Sequence, residues 1–195
     1  MFHGQFESLS LIESITPTVT TKPIAWGMCT STPETYFFIS NFHDMKVEDP
    51  DVKSFCARIA HLHLKSADLF EMSVRMTPEE RFGFHMTTYF GIIPQDNHWC
   101  ESWEAFYIQG LHPILALEES IRGPSEEMRD LAKQLIEKVI PRLLRPLDTG
   151  GRTIRPTLVH GDLHFQNAGT DRVTELSVIF DACSFWSHNE CKHFN

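Results

Sequence analysis

The feature that most constrains this chain lies in residues 157–187. Two short apolar runs, Thr157-Leu158-Val159 and Leu176-Ser177-Val178-Ile179-Phe180, each lead into a polar loop. The first loop reads His160-x-Asp162-x-x-x-x-Asn167, and Asp181 directly follows the second run, 14 residues beyond Asn167. Apolar runs of this length, bounded by turn residues, read as buried strands. Oxygen-bearing side chains are therefore presented at the ends of two small strands.

Upstream of residue 150 the pattern is mostly helical. Phe6, Leu9 and Ile12 share one face of a predicted helix over residues 3–15, ended by Pro17. Residues 23–27 and 35–40 read as strands, and the Ser31-Thr32-Pro33 turn predicts an antiparallel pair. Asp49-Pro50 supplies an N-cap and a first-position proline for a helix that turns Val52, Phe55, Ile59 and Leu62 inward. Residues 66–97 are rich in turn signals and read as loop. A helix from Trp99, carrying Trp103, Phe106, Tyr107, Leu111 and Ile114, is expected to bend or break near Pro113. Ser125 caps another, with Glu126 and Glu127 at its positive end. Met128, Leu131, Leu135, Val139 and Ile140 form its expected buried stripe, which Pro141 interrupts. The order of elements is that of an α+β fold, with a boundary expected near residues 41–47.

Composition narrows the function classes. With 42% apolar residues, 15 Phe and 4 Trp, the chain can build a sizeable core and is not a disordered segment. A formal net charge of −9 leaves no basic stripe to meet a phosphate backbone, so nucleic acid is not an expected partner. A nucleotide site is local and remains compatible with that charge. The five cysteines, at 29, 56, 100, 183 and 191, are odd in number and irregularly spaced, which fits reduced thiols better than a disulfide framework. His188, Cys191 and His193 lack the fourth ligand and paired spacing of structural zinc. No signal peptide is visible and no run approaches the ~20 apolar residues of a membrane span. A cytoplasmic location is the expectation, with no membrane partner.

The polar loops carry a recognisable chemistry. Phosphoryl transfer from ATP needs a carboxylate to orient and deprotonate the attacking hydroxyl, and oxygen ligands to hold Mg²⁺ against the phosphates. Protein kinases space these as H-R-D-x-x-x-x-N, with a second metal-binding Asp further on. Asp162 and Asn167 have the same five-residue separation, and Asp181 follows at the end of a strand. On this pattern Asp162 is the base, Asn167 and Asp181 the metal ligands, and His160 a brace for the loop.

The surrounding residues resemble one family. Val159-His160-Gly161-Asp162-Leu163 and Phe180-Asp181-Ala182-Cys183-Ser184-Phe185-Trp186-Ser187-His188-Asn189-Glu190 are similar to the fructosamine (ketosamine/ribulosamine) 3-kinases, a branch of the aminoglycoside phosphotransferase-like kinases. Met1-Phe2-His3-Gly4-Gln5-Phe6-Glu7-Ser8-Leu9, Phe82-Gly83-Phe84-His85, Trp99-Cys100-Glu101-Ser102-Trp103 and Pro141-Arg142-Leu143-Leu144-Arg145-Pro146-Leu147 extend the resemblance over nearly the whole chain. Choline, aminoglycoside and homoserine-type kinases share the Asp–Asn–Asp spacing but not the phrase that follows Asp181.

The resemblance implies a protein-kinase-like fold: residues 1–45 as part of the small lobe and hinge, and 46–195 as a catalytic lobe incomplete at its C-terminus. It implies ATP and Mg²⁺ as cofactors and phosphorylation of a sugar hydroxyl on small-molecule ketosamines or glycated protein lysines, a deglycating reaction. Backbone groups of Asn41, Phe42 and His43 would meet the adenine edge, and His164 and Trp99 would face the substrate.

The chain also departs from the family's pattern. It holds neither a glycine-rich phosphate loop nor a strand lysine ahead of the first helix, and Lys22 follows that helix instead. Gln5 stands where the family has a glutamate, and Glu7 lies about 200° round the helix. His164 replaces a common tryptophan. Loss of one preorganised phosphate contact can cost ~3–4 kcal/mol of transition-state stabilisation. The expectation is a chain truncated at both ends and weakly active, or an inactive relative that binds nucleotide, glycated ligand or a partner protein.

Overall fold

A computed structural model describes residues 1–72 and 81–191. Helix α1 (Phe2–Ile15) forms as expected and buries Gly4, Ser8, Leu9, Ile12 and Ile15. Strands β1 (Pro23–Met28) and β2 (Tyr36–Ser40) pair antiparallel, with Trp26 opposite Phe38 and Gly27 opposite Phe37.

Helix α2 (Val52–Met72) departs from expectation at both ends. Its first turn is capped by Asp51, whose Oδ1 accepts from the Ser54 N–H at 2.9 Å, so Asp49 is not the cap and Pro50 lies ahead of it. Val52, expected inward, is exposed because the core begins only a turn later, at Phe55 and Ile59. At the other end, residues 66–72 are helical rather than loop. Ser66 accounts for this: its hydroxyl donates to His63 O and accepts the Leu158 N–H at 3.0 Å, so a polar residue is buried against the central strands. Within the remaining expected loop, residues 73–80 lie outside the described residues. Beyond them β3 (Tyr89–Phe90) and β4 (Ile93–Pro94) form a minimal hairpin around Gly91, whose φ of +57° suits a glycine.

Helix α3 (Trp103–Arg122) starts after Ser102, whose hydroxyl caps the Ala105 N–H, so Trp99 lies outside it. The helix continues through Pro113, which removes a single N–H donor. Ser125 caps α4 (Glu126–Gln134) as expected. A π turn over Leu135–Val139 then leads into α5 (Ile140–Leu144), and the Ile140 N–H reaches Leu135 O, five residues back. That widened turn absorbs the missing donor of Pro141, so the helix is not interrupted. The expected buried stripe is corrected as well. Only Ile140 is buried; Met128, Leu131, Leu135 and Val139 are exposed because no described element covers that face.

The centre is built from four short strands: β5 (Thr157–Val159), β6 (Ala168–Thr170), β7 (Ser177–Ile179) and β8 (Phe185–Ser187). β5 pairs with β8 and β6 with β7, both antiparallel. One apolar cluster joins these strands to the helices, with Leu9 and Ile12 of α1, Leu62 and Phe70 of α2, and Trp103 and Phe106 of α3 packed around Leu158, Ile179, Phe185 and Trp186. No helix among the described residues is long and apolar enough to cross a membrane.

The segment after β2 is tied to the β6–β7 turn by Asp171. One carboxylate oxygen accepts from the backbone N–H groups of Val173 (3.1 Å) and Thr174 (2.7 Å) and from the Thr174 hydroxyl (2.8 Å). The other lies 2.9 Å from His43 Nδ1. These donors, Thr174 foremost and His43 after it, hold the Asp171 pKa down from 3.8 to about 2. A folded-state value below the unfolded one means that ionised Asp171 favours the folded chain above pH 4 and loses that effect as pH falls toward 2. Asp171→Asn should therefore lower the thermal midpoint at neutral pH, and its gap to wild type should close between pH 5 and 2 in a series of thermal melts. A gap independent of pH would contradict this account.

Candidate functional site

Strand pairing brings the polar residues to one place. Val159, the last residue of β5, lies opposite Phe185, the first of β8; Ala168, the first of β6, lies opposite Ile179, the last of β7. The loop 160–167 and the turn 180–184 must therefore emerge at the same end. Three hydrogen bonds stitch them: Phe180 N–H to Asn167 O (3.1 Å), Cys183 N–H to His160 O (2.9 Å), and His160 Nε2–H to Phe180 O (2.9 Å). His160 Nδ1 accepts from the Asp162 N–H at 3.3 Å, so the buried imidazole bonds through both nitrogens as a brace.

Gly161 permits this closeness. Its φ is +90°, and a Cβ there would lie 2.2 Å from Cys183 O, far inside contact distance. Burial also pushes the Cys183 thiol well up, so it stays protonated and packs as a small residue.

The loop presents Asp162 and Asn167 together. Asn167 Nδ2 donates to Asp162 O (2.8 Å) and to its carboxylate Oδ2 (3.2 Å). With the nitrogen so used, the amide oxygen is turned to the other side. Asp162 Oδ1 is buried without a hydrogen-bond donor among the described residues; His164 Nε2 comes within 3.7 Å. The His164 Nδ1 accepts from the Gln166 N–H at 3.2 Å, which aims Nε2 at the Asp162 carboxylate. Asp181 sits at φ +62°, a strained setting that turns its side chain away from the β7 register. Partial burial, and then the charge of Asp162, raise the Asp181 pKa above its ordinary value, while His164 opposes the shift.

A cleft of about 390 Å³ opens here, lined by Met1, Phe2 and Gln5 of α1, by Tyr89, Gly91 and Ile92 of the β3–β4 hairpin, and by Asp162, Asp181 and Ala182. The hairpin wall was not anticipated from sequence, because these residues lie in a stretch that reads as loop. It is held rigidly: Gln95 Nε2 donates to Thr88 Oγ1 and Cys183 O, and Asn97 Nδ2 donates to Thr88 Oγ1. The nine-residue separation of Thr88 and Asn97 carries no motif, so a sequence signal for this wall is lacking. Gln5 was noted only as a departure, yet its Nε2 donates to Asp181 Oδ1 at 3.0 Å. Glu7 indeed faces elsewhere, between His3 and His85 at 3.6 Å from each.

The other expected residues fall outside this cleft. Trp99 lies against Gly83 and packs on the core. Asn41, Phe42 and His43 occupy the extended link after β2. The Asn41 N–H is already given to Lys22 O at 2.9 Å, Phe42 is 89% exposed, and His43 is bound to Asp171. Among the described residues no group of three or more His, Cys, Asp and Glu side chains is arranged to hold a metal by itself. A cation here would draw on the Asp181 carboxylate, the Asn167 amide oxygen and oxygens brought by a ligand. The orphaned, buried Asp162 Oδ1 fits such a ligand-completed site, since a buried carboxylate oxygen is costly without a partner.

Comparison with known proteins follows the same lines. The fructosamine kinase family model matches residues 1–193. The chain is 27% identical to the ketosamine-3-kinase of Mus musculus, over 97% of this chain and 62% of that protein. It is 30% identical to the chloroplastic protein-ribulosamine 3-kinase of Oryza sativa subsp. indica, over 64% of this chain and 34% of that protein. Among solved structures, one from Thermobifida fusca named for fructosamine-3-kinase superposes with a TM-score of 0.71 at 21% identity, over 97% of this chain and 57% of that one. The chain thus spans less than two thirds of the length of these relatives. At that identity the superposition establishes the kinase-like fold.

Gly161 offers a direct check on the stitched loops. Gly161→Ala should destabilise the chain by about 2–4 kcal/mol, from the left-handed backbone and the contact with Cys183 O together. Chemical denaturation measures this; a loss below about 1 kcal/mol would show that the loops can separate without harm.

Proposed function

The chain belongs to the fructosamine kinase family, and on that premise we propose that it carries the phosphoryl-transfer centre of an ATP-dependent ketosamine 3-kinase. The observation that carries this reading is the convergence of Asp162, Asn167 and Asp181 on one end of the central strands, with Asp162 Oδ1 buried and unpartnered. Residues 1–45 serve as the small lobe and hinge, and 46–195 as the catalytic lobe. A cytoplasmic location belongs to this reading, since an odd number of irregularly spaced cysteines fits reduced thiols.

Asp162 is the general base. Asn167 holds its Oδ2, which leaves Oδ1 to accept the hydrogen bond of a sugar hydroxyl. As that oxygen bonds to the γ-phosphorus of ATP, the bond from phosphorus to the β,γ-bridging oxygen breaks and ADP leaves. The hydroxyl proton passes to Asp162 and then to solvent. Asp181 and the Asn167 amide oxygen are the side chains to hold Mg²⁺, which when bound neutralises charge on the phosphate oxygens. His164, with Nε2 facing Asp162, contacts the acceptor beside the reacting hydroxyl. The hinge Asn41–His43 reads the adenine edge through the backbone of Phe42 and His43, since the Asn41 N–H is engaged. Trp99 supports the acceptor side indirectly, through its packing on Gly83.

The acceptors are small ketosamines or glycated protein lysines. Incubation with a fructosyl-lysine derivative, ATP and Mg²⁺ should yield ADP and a sugar phosphate, followed by ³¹P NMR. Asp162→Asn should lower kcat by about 10²–10⁴-fold while leaving nucleotide binding intact. Turnover by that variant within tenfold of wild type, or no phosphate transfer by wild type, would refute the assignment.

A further inference from the structure

Helix α1 is fastened to the segment that contains Asp181 at successive turns. Gly4 lies so close to the β3 side that a Cβ would come within 2.9 Å of Thr87 O. Ser8, fully buried, accepts the Ser184 N–H at 2.9 Å and donates to Gly4 O at 2.7 Å. Leu9 and Ile12, also fully buried, anchor the same face in the core. Between Gly4 and Ser8, Gln5 Nε2 donates to Asp181 Oδ1 at 3.0 Å.

We propose that Gln5 is a positioning residue for Asp181: its amide holds Oδ1 and leaves Oδ2 to face the cleft and a divalent cation. This rests on the reading of Asp181 as a metal ligand. The backbone of Asp181 is already set by its left-handed conformation, so the remaining freedom is rotation of the carboxylate. One hydrogen bond from a docked helix removes it. The chemistry of the donor matters as much as its reach. Without a cation beside it, a glutamate at this position would set an unpaired third carboxylate near Asp162 and Asp181. A lysine would neutralise Asp181 and oppose a second positive charge. A neutral amide fixes orientation without altering the charge of the site, the usual task of a residue behind a metal ligand.

The test uses Mn²⁺ as probe, titrated by electron paramagnetic resonance with and without a non-hydrolysable ATP analogue. Gln5→Ala should weaken Mn²⁺ binding about tenfold, and Gln5→Glu should not restore it. Ser8→Ala loosens the same helix without touching Asp181; it should lower the thermal midpoint but keep Mn²⁺ affinity within about twofold of wild type. If Gln5→Ala binds Mn²⁺ like wild type, the positioning role is wrong while the metal-ligand reading stands. If Ser8→Ala loses as much affinity as Gln5→Ala, the effect belongs to helix docking and the specific role of Gln5 is overturned. If wild type itself binds no Mn²⁺ with the nucleotide analogue, the reading of Asp181 falls, and this proposal with it.

Discussion

Everything at the site depends on two loops being held against one another at the end of four short strands. Antiparallel pairing of β5 with β8 and of β6 with β7 sets both loops on one side. The His160 imidazole then spans them, with one nitrogen on Phe180 O and the other on the Asp162 N–H. The approach is possible only because residue 161 has no side chain. Each part is cheap alone, yet together they place three oxygen-bearing side chains within reach of one small ligand.

Charge is the second constraint. Partial burial disfavours the charged form of Asp181, and the nearby charge of Asp162 adds to that cost. The fold answers with neutral or switchable partners: the Asn167 amide on Asp162, the Gln5 amide on Asp181, and His164 nearby. No fixed cation on a described side chain touches either carboxylate. Helix α1 serves both regions. It belongs to the core through Leu9 and Ile12, and to the cleft through Gln5.

Several sequence expectations failed for physical reasons that can be named. Residues from 66 onward read as loop, but the buried Ser66 hydroxyl, bonded to the Leu158 N–H, carries α2 onward. Pro141 looks like a stop, but the chain runs through it in a π turn followed by an α turn, with the Ile140 N–H reaching Leu135 O. The apolar stripe on α4 has helical spacing and an N-cap, so the helix was legible; its burial was not, because burial belongs to whatever packs against it. The hairpin over the cleft was missed since Gln95 anchors it to Cys183 O, far along the chain, and the local bond from Asn97 to Thr88 follows no recognised motif.

The amino-acid sequence by itself determined the α+β order of elements, the paired strands β1 and β2, the capped helices, and the identity of Asp162, Asn167 and Asp181 as a set. Those follow from periodicity, capping chemistry and spacing, all of which are local along the chain. Tertiary structure alone decided that Gln5 meets Asp181 across 176 residues, that His43 binds Asp171, and that a hairpin walls the cleft. Such contacts depend on how distant surfaces come to rest together, and no local pattern encodes that distance.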